Sequence, residues 1–323
     1  MRHLIGLVLT GIGACLLVVG ILVPAYLGPR LIQAPANVYE VTTLRGQNAT
    51  YLDASTGRLR TGASVTATAT VRGAPAAGRD GIAVWDSFNW IQDASTGKNV
   101  GYSRNRTAFD RRTGELVRCC GANIDGDTQA PMSGIGLLWP LGVSKKTYML
   151  YDFSTRRPWP AKFAGEERVH GMPVYRFVLH IPETTMPGTT PSVPGSMLGL
   201  GKDSGTVAVD RRYSADNTYW IDPRTGASLN VQQKVRTELV AKQGGGRLTV
   251  ADMDLRMPDA EQRSLVATTQ DAHRMLGLLT TVLPIAAPIM GLILLVPGII
   301  LARRPRRMPQ HRTTDEEAAT APA

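Results

Sequence analysis

The residues best placed to do chemistry in this chain are two adjacent thiols, Cys119 and Cys120. Neighbouring α-carbons stand ~3.8 Å apart, below the roughly 4.4–6.8 Å usual across a disulfide, so a bond between them strains the peptide. Outside a reducing cytoplasm their closeness still favours oxidation. Three states are open: a vicinal disulfide making a rigid apolar knob suited to lining a ligand site, two free or buried thiols, or an intermolecular link. Other candidate motifs are weaker. Ser95-Thr96-Gly97-Lys98 matches Ser-x-x-Lys, but no Ser-Asp-Asn or Lys-Thr-Gly accompanies it. His170, His180 and His273 form no H-x-x-x-H or H-E-x-x-H pair, which argues against a catalytic zinc. Asn123-Ile124-Asp125-Gly126-Asp127 is similar to a calcium loop. Its glycine comes two places early, however, and Gly134 stands where such a loop needs a glutamate. Gly201-Lys202-Asp203-Ser204 lacks phosphate-loop spacing. The expectation is a protein that is not an enzyme, with no cofactor and no metal.

The elements that must position these residues are hairpins. One five-residue string returns four times: Asp53 to Gly57, Asp93 to Gly97, Asp110 to Gly114 and Asp222 to Gly226, each reading Asp-x-x-Thr-Gly. Aspartate can accept from the backbone two residues on, and glycine supplies the positive φ that closes a turn. Alternating β-branched runs such as Ser64–Arg72 and the run Val174–Leu179 flank such turns. Gly171 and Gly244-Gly245-Gly246 mark two further hairpin turns. The fold class expected is therefore mainly β with α+β character. An antiparallel, hairpin-rich domain lies between two transmembrane helices. Residues 181–205, rich in proline and glycine, read as a long loop whose apolar patch Met197, Leu198 and Leu200 could act as a flap.

Both ends of the chain are apolar. Leu4–Leu27 and Met275–Ala302 carry no charged side chain, each longer than the ~20 residues that cross a hydrocarbon core. The first run is too long for a cleaved signal core and lacks a good cleavage site, so it reads as a signal anchor. Arg303, Arg304, Arg306 and Arg307 follow the second run and hold that end in the cytoplasm. The expected organisation is 1–3 cytoplasmic, 4–27 spanning, 28–274 extracytoplasmic, 275–302 spanning and 303–323 a basic, disordered cytoplasmic tail. Within the large domain, 258–274 reads as a juxtamembrane helix opened by Pro258 and early carboxylates. Gly6, Thr10 and Ala14, and likewise Ala287 and Gly291, recur at four-residue spacing and would let the spans pack closely. The location expected is the plasma membrane, crossed twice, with both termini inside.

The 323-residue chain carries a net charge of +10. Between the two spans the basic excess is spread singly, which excludes a nucleic-acid stripe there and suits anionic headgroups or an acidic envelope polymer.

Several segments together resemble one family. They are Phe109-Asp110-Arg111-Arg112-Thr113-Gly114-Glu115 with Cys119-Cys120-Gly121, Lys146-Thr147-Tyr148 with Tyr151-Asp152, and Gly165-Glu166-Glu167 through Tyr175-Arg176-Phe177. With Asp222–Gly226 and the two spans, they make the chain similar to the actinobacterial porin PorA family of two-span membrane proteins of unknown function. Leu138-Trp139-Pro140-Leu141-Gly142 departs from that family's Lys-Phe-Pro-Phe form. The resemblance implies membership and carries no catalytic residues. The leading expectation is a non-enzymatic, doubly anchored envelope protein whose domain binds or shuttles an apolar component such as lipid. A scaffold of a membrane complex and a channel are the alternatives. Partners expected are membrane lipids, other envelope proteins or further copies of the chain, and no nucleic acid.

Overall fold

A computed structural model describes residues 2–22, 33–188, 190–201 and 203–303. The chain divides into two compact units, residues 1–31 with 276–323, and residues 32–275.

The larger unit is built on one antiparallel sheet. Its strands are β1 (Tyr39–Asp53), β2 (Arg58–Gly73), β3 (Ile82–Asp93), β4 (Asn99–Asp110), β5 (Leu116–Val117), β6 (Asn123–Ile124) and β7 (Tyr148–Asp152). They continue as β8 (Arg157–Val169), β9 (Met172–Thr185), β10 (Ser192–Pro194), β11 (Thr206–Ile221), β12 (Ser228–Ala241) and β13 (Arg247–Arg256). The order is β5-β4-β3-β2-β1-β13-β12-β11-β9-β8-β7, with β6 beside β4 and β10 beside β11. Hairpins make every neighbour antiparallel; the one non-local step is β13 closing onto β1 (Thr50 opposite Asp252). The sheet curls until its two edges meet at a single residue. Leu116 N–H donates to Gly134 O, while Ile135 exchanges bonds with Met149 O and Tyr151 N–H on β7. Ile135 is buried there with Trp139, Tyr148, Leu150 and Phe177. A second cluster holds Trp85, Phe109, Ile124, Met132 and Tyr151, and a third holds Tyr51, Val65, Met253 and Leu255.

Antiparallel pairing puts directly opposed residues on one face. His180, Asp216, Lys234 and Asp254 are opposed in turn across β9, β11, β12 and β13, so one face of the sheet is charged there. Helix α2 (Asp259–Gly277) follows β13. Its Val266 packs on Val169, Met172, Val174 and Leu229. His170 and Asp259 lie 3.0 Å apart, and His273 and Asp222 2.8 Å.

The stretch 181–205 differs from the loop expected. β9 runs on to Thr185, β10 pairs with β11 (Val193 opposite Val207), and a 3-10 turn covers Gly195–Leu198. A three-residue edge strand ending on proline has no alternation to read, and such an edge tolerates the missing N–H. The proposed flap is likewise pinned. Leu198 is 3% exposed among Val209, Leu239 and Ala241, with Leu200 packed beside it and Met197 half-buried.

In the smaller unit, α1 (Arg2–Leu22) packs on α3 (Leu283–Arg303), which a π-helical turn, Leu278–Val282, precedes. The seam has heptad spacing: Gly6, Gly13 and Gly20 on α1 against Gly298, Gly291 and Pro288 on α3. A methyl group on Gly13 would stand 2.7 Å from Gly291 O, and one on Gly20 2.5 Å from Pro288 Cδ. Thr10, Ala287 and Gly291 belong to this contact as expected, but Ala14 is exposed. Seven residues make almost two whole turns of 3.6, so the seam follows the heptad rather than the four-residue ladder. Arg303 ends α3. Arg304, Arg306, Arg307 and the tail, together with the end of the first run beyond Leu22, lie outside the described residues.

Candidate functional site

The four Asp-x-x-Thr-Gly strings are hairpin turns of one geometry. In each, the glycine N–H donates to the aspartate carbonyl (2.8–3.0 Å), and the glycine φ lies between 64° and 74°. The aspartate side chain accepts from the turn itself. Asp53 Oδ1 takes Ser55 N–H, Asp93 Oδ1 takes Ser95 and Thr96 N–H, Asp110 Oδ1 takes Arg112 and Thr113 N–H, and Asp222 Oδ2 takes Thr225 N–H. Side-chain hydrogen bonds, Ser55 on Asp53 and Ser95 on Asp93, do most to hold these two carboxyls below the usual carboxylate range. Asp110 is lowered chiefly by the Thr113 N–H. Ser95 and Lys98 are absorbed here: Ser95 Oγ donates to Asp93, and Lys98 Nζ reaches Asp53 at 2.9 Å. Sequence reading missed a fifth turn, Asp152 to Arg156, where Thr155 N–H donates to Asp152 Oδ1 and Arg156 takes the positive φ of 53°. The string Asp-x-x-Thr was the available signal, hidden because arginine replaces the glycine.

Cys119 and Cys120 are joined as a vicinal disulfide with Cα atoms 3.7 Å apart, and Cys120 has φ 61°. The loop that carries them closes on itself. Ala122 N–H donates to Cys119 O, and Asn123 Nδ2 donates to Gly121 O. Ile124, 1% exposed, plugs the loop into the core, and β6 sets Asn123 opposite Arg106 of β4. Asn123 Oδ1 accepts Gly126 N–H, Asp125 Oδ1 accepts Arg104 N–H, and Asp127 pairs with Arg156. The string resembling a calcium loop is thus used internally. Among the described residues no group of three or more histidine, cysteine and carboxylate side chains could hold a metal.

Beside this loop the sheet holds a cavity of about 570 Å³ whose lining includes Arg72, Asp86, Phe88, Arg104, Arg106 and Asn123. That lies within the range of small-molecule sites. Register explains how residues far apart in sequence meet: Arg72 of β2 opposes Asp86 of β3, which opposes Arg106 of β4, while Phe88 opposes Arg104. Arg106 grips Asp86 with two bonds, 2.6 and 2.7 Å. Among the described residues neither Arg72 nor Arg104 makes a side-chain ion pair. One carboxylate therefore faces three guanidiniums, and the cavity favours a negative guest. The disulfide loop forms its margin, since a methyl group on Gly121 would touch Arg106 at 3.8 Å. Met197, Leu198 and Leu200 have no place in this cavity.

Two comparisons bear on this architecture. The family described as porin PorA matches residues 5–300. A protein named porin PorA from Corynebacterium amycolatum is 27% identical over 130 residues, which cover 32% of this chain and 33% of that protein. The chain therefore spans about a third of the length of the curated relative it matches.

Proposed function

The chain belongs to the porin PorA family, and on that premise we propose that it acts in a membrane as a channel whose pore forms between the helices of several copies. The observation that carries this reading is the glycine seam between α1 and α3. It brings the two backbones into contact and leaves no passage within one chain, so a pore needs further copies. The sheet is a poor candidate for the spanning wall. Its row His180, Asp216, Lys234 and Asp254 would face hydrocarbon if the strands formed a lipid-facing barrel.

The helices do present apolar faces away from the seam, including Leu4, Val8 and Ile12 on α1 and Ile285, Ile289 and Ile293 on α3. A lumen lined by such side chains gates by dewetting, so brief, well-resolved closures are expected. The basic run from Arg303 to Arg307 supports cytoplasmic termini and an extracytoplasmic sheet. An apolar carrier function is less well supported, because the flap's Leu198 is buried and the cavity beside the disulfide is basic.

Planar bilayers doped with the purified full chain test the proposal. Discrete conductance steps are expected, and Gly13→Leu, which forces α1 from α3, should abolish them while the sheet's circular dichroism persists. Folded wild-type protein that stays silent over a range of voltages would overturn it.

A further inference from the structure

The cavity opens onto a terrace of exposed rings whose arrangement is set entirely by register. Three rows cross the same face of β1 to β4. Tyr39, Arg72, Asp86 and Arg106 form the first, Val41, Thr70, Phe88 and Arg104 the second, and Thr43, Thr68, Trp90 and Tyr102 the third. Neighbouring strands lie ~4.8 Å apart and alternate residues ~6.8 Å apart, so the grid measures roughly 14 Å on a side. Phe88 is 39% exposed, Trp90 40% and Tyr102 72%, and the Phe88 and Trp90 rings meet edge to face at 5.7 Å. Large rings seldom stand so open in a cluster unless something covers them.

We propose that this face binds an anionic saccharide chain, with its acid group against Arg72 and Arg104 and its pyranose rings on Trp90 and Tyr102. The negative face of an aromatic ring attracts the weakly positive C–H groups that a pyranose presents on one side. Threonine hydroxyls at Thr68 and Thr70, on the strand beside Trp90 and Phe88, can donate to or accept from sugar hydroxyls. Arg72 and Arg104 line the cavity without an ion pair among the described residues, and their guanidinium forks match a carboxylate or phosphate. Arg106 is spent on Asp86 and serves to hold the wall. Asp125 Oδ1 accepts the backbone N–H of Arg104, which leaves the Arg104 guanidinium for the guest.

Two other guests fit less well. A bilayer surface is flat and cannot enter a recess. Stacked bases want parallel platforms, whereas Phe88 and Trp90 are inclined by 70°. The inference stands whether or not the helices conduct.

The test is titration of the full chain, held in nanodiscs of zwitterionic lipid, with tetragalacturonate, following tryptophan emission. Saturable quenching is expected, at least tenfold stronger than with uncharged maltotetraose. The double change Arg72→Gln with Arg104→Gln should weaken it roughly a hundredfold, about a factor of ten for each charge-assisted contact. Tyr102→Ala, at an exposed position that folding does not need, should weaken both sugars alike. Equal binding of the charged and neutral tetramers, or no saturable binding of either, would overturn the proposal. So would tighter association with phosphatidylglycerol vesicles or with a single-stranded oligonucleotide.

Discussion

The same five-residue turn does two different jobs at the two ends of the sheet. At one end, Asp53–Gly57 and Asp93–Gly97 join β1 to β2 and β3 to β4, and they fasten to each other through side chains. Lys98 reaches Asp53, and Tyr51 Oη donates to the fully buried Asp93 at 2.7 Å. At the other end, Asp110–Gly114 and Asp222–Gly226 clamp a neighbouring segment through their backbones, while the buried Asp222 also lends its carboxylate to His273 Nε2 at 2.8 Å. Leu141 N–H donates to Arg112 O and Gly142 N–H to Arg224 O, so both turns hold the segment carrying Trp139. Trp139 is 2% exposed and meets Tyr148, Phe177 and Tyr219. One motif thus supplies a carboxylate, a contact surface or, at Asp222, both, depending on what the curl of the sheet brings near.

The glycines separate the two uses most sharply. A methyl group on Gly226 would stand 2.6 Å from Trp139 O and 2.7 Å from Pro140 O, and one on Gly114 2.4 Å from Leu138 O. Around Gly57 and Gly97 there is open space. Gly226→Ala should therefore cost about 3–5 kcal/mol, left-handed strain plus overlap with backbone that cannot yield. Gly97→Ala should cost only about 1–2 kcal/mol of strain. Urea unfolding followed by tryptophan emission measures both. Equal losses would show that the Trp139 segment is not clamped.

The aspartates should rank the other way. Asp93→Ala removes the acceptor for Tyr51, Ser95 and Thr96 in a fully buried place, and about 2–3 kcal/mol is expected. Asp110→Ala, at a more exposed turn, should cost nearer 1 kcal/mol.

The membrane runs and the four turns were legible because each is local: an unbroken apolar stretch, or an aspartate and a glycine four residues apart. What the turns hold together was not. Ile135 closes the sheet between Leu116 and Met149, and nothing in its neighbours signals pairing with strands on both edges. The cavity is invisible for the same reason. Arg72, Arg104 and Phe88 sit on three different strands, and a one-residue slip of β3 would send Phe88 to the other face. Leu198 reads as part of a loop because its partners Val209 and Leu239 come from strands further along the chain.

Acid should bring out the contrast between carboxylates. The folded forms of Asp53, Asp93 and Asp110 titrate below the ordinary value of about 3.9. Their stabilisation is complete above that pH and is lost as pH falls through the lowered folded values. Asp152 has the opposite sign: burial raises its folded value, so it favours folding as pH falls. Unfolding midpoints between about pH 5 and 2 should drop less steeply in Asp93→Asn and more steeply in Asp152→Asn. Parallel slopes in both variants would contradict the assignment.

The smallest effect concerns the turn that lacks the glycine. Arg156 holds φ 53° and pairs with Asp127 at 2.6 Å, tying the β7–β8 hairpin to the loop after β6. Arg156→Gly relieves about 1 kcal/mol of left-handed strain and gives up a half-exposed ion pair of similar size. The single change should therefore lie within about 0.5 kcal/mol of neutral. Without Asp127 the balance tips: in an Asp127→Ala background the same change should stabilise, since only the strain remains to be relieved. A double-mutant cycle isolates that coupling. If glycine at 156 is unfavourable in both backgrounds, the arginine stem contributes packing here, and this turn belongs with the contact-bearing pair rather than with the carboxylate-bearing one.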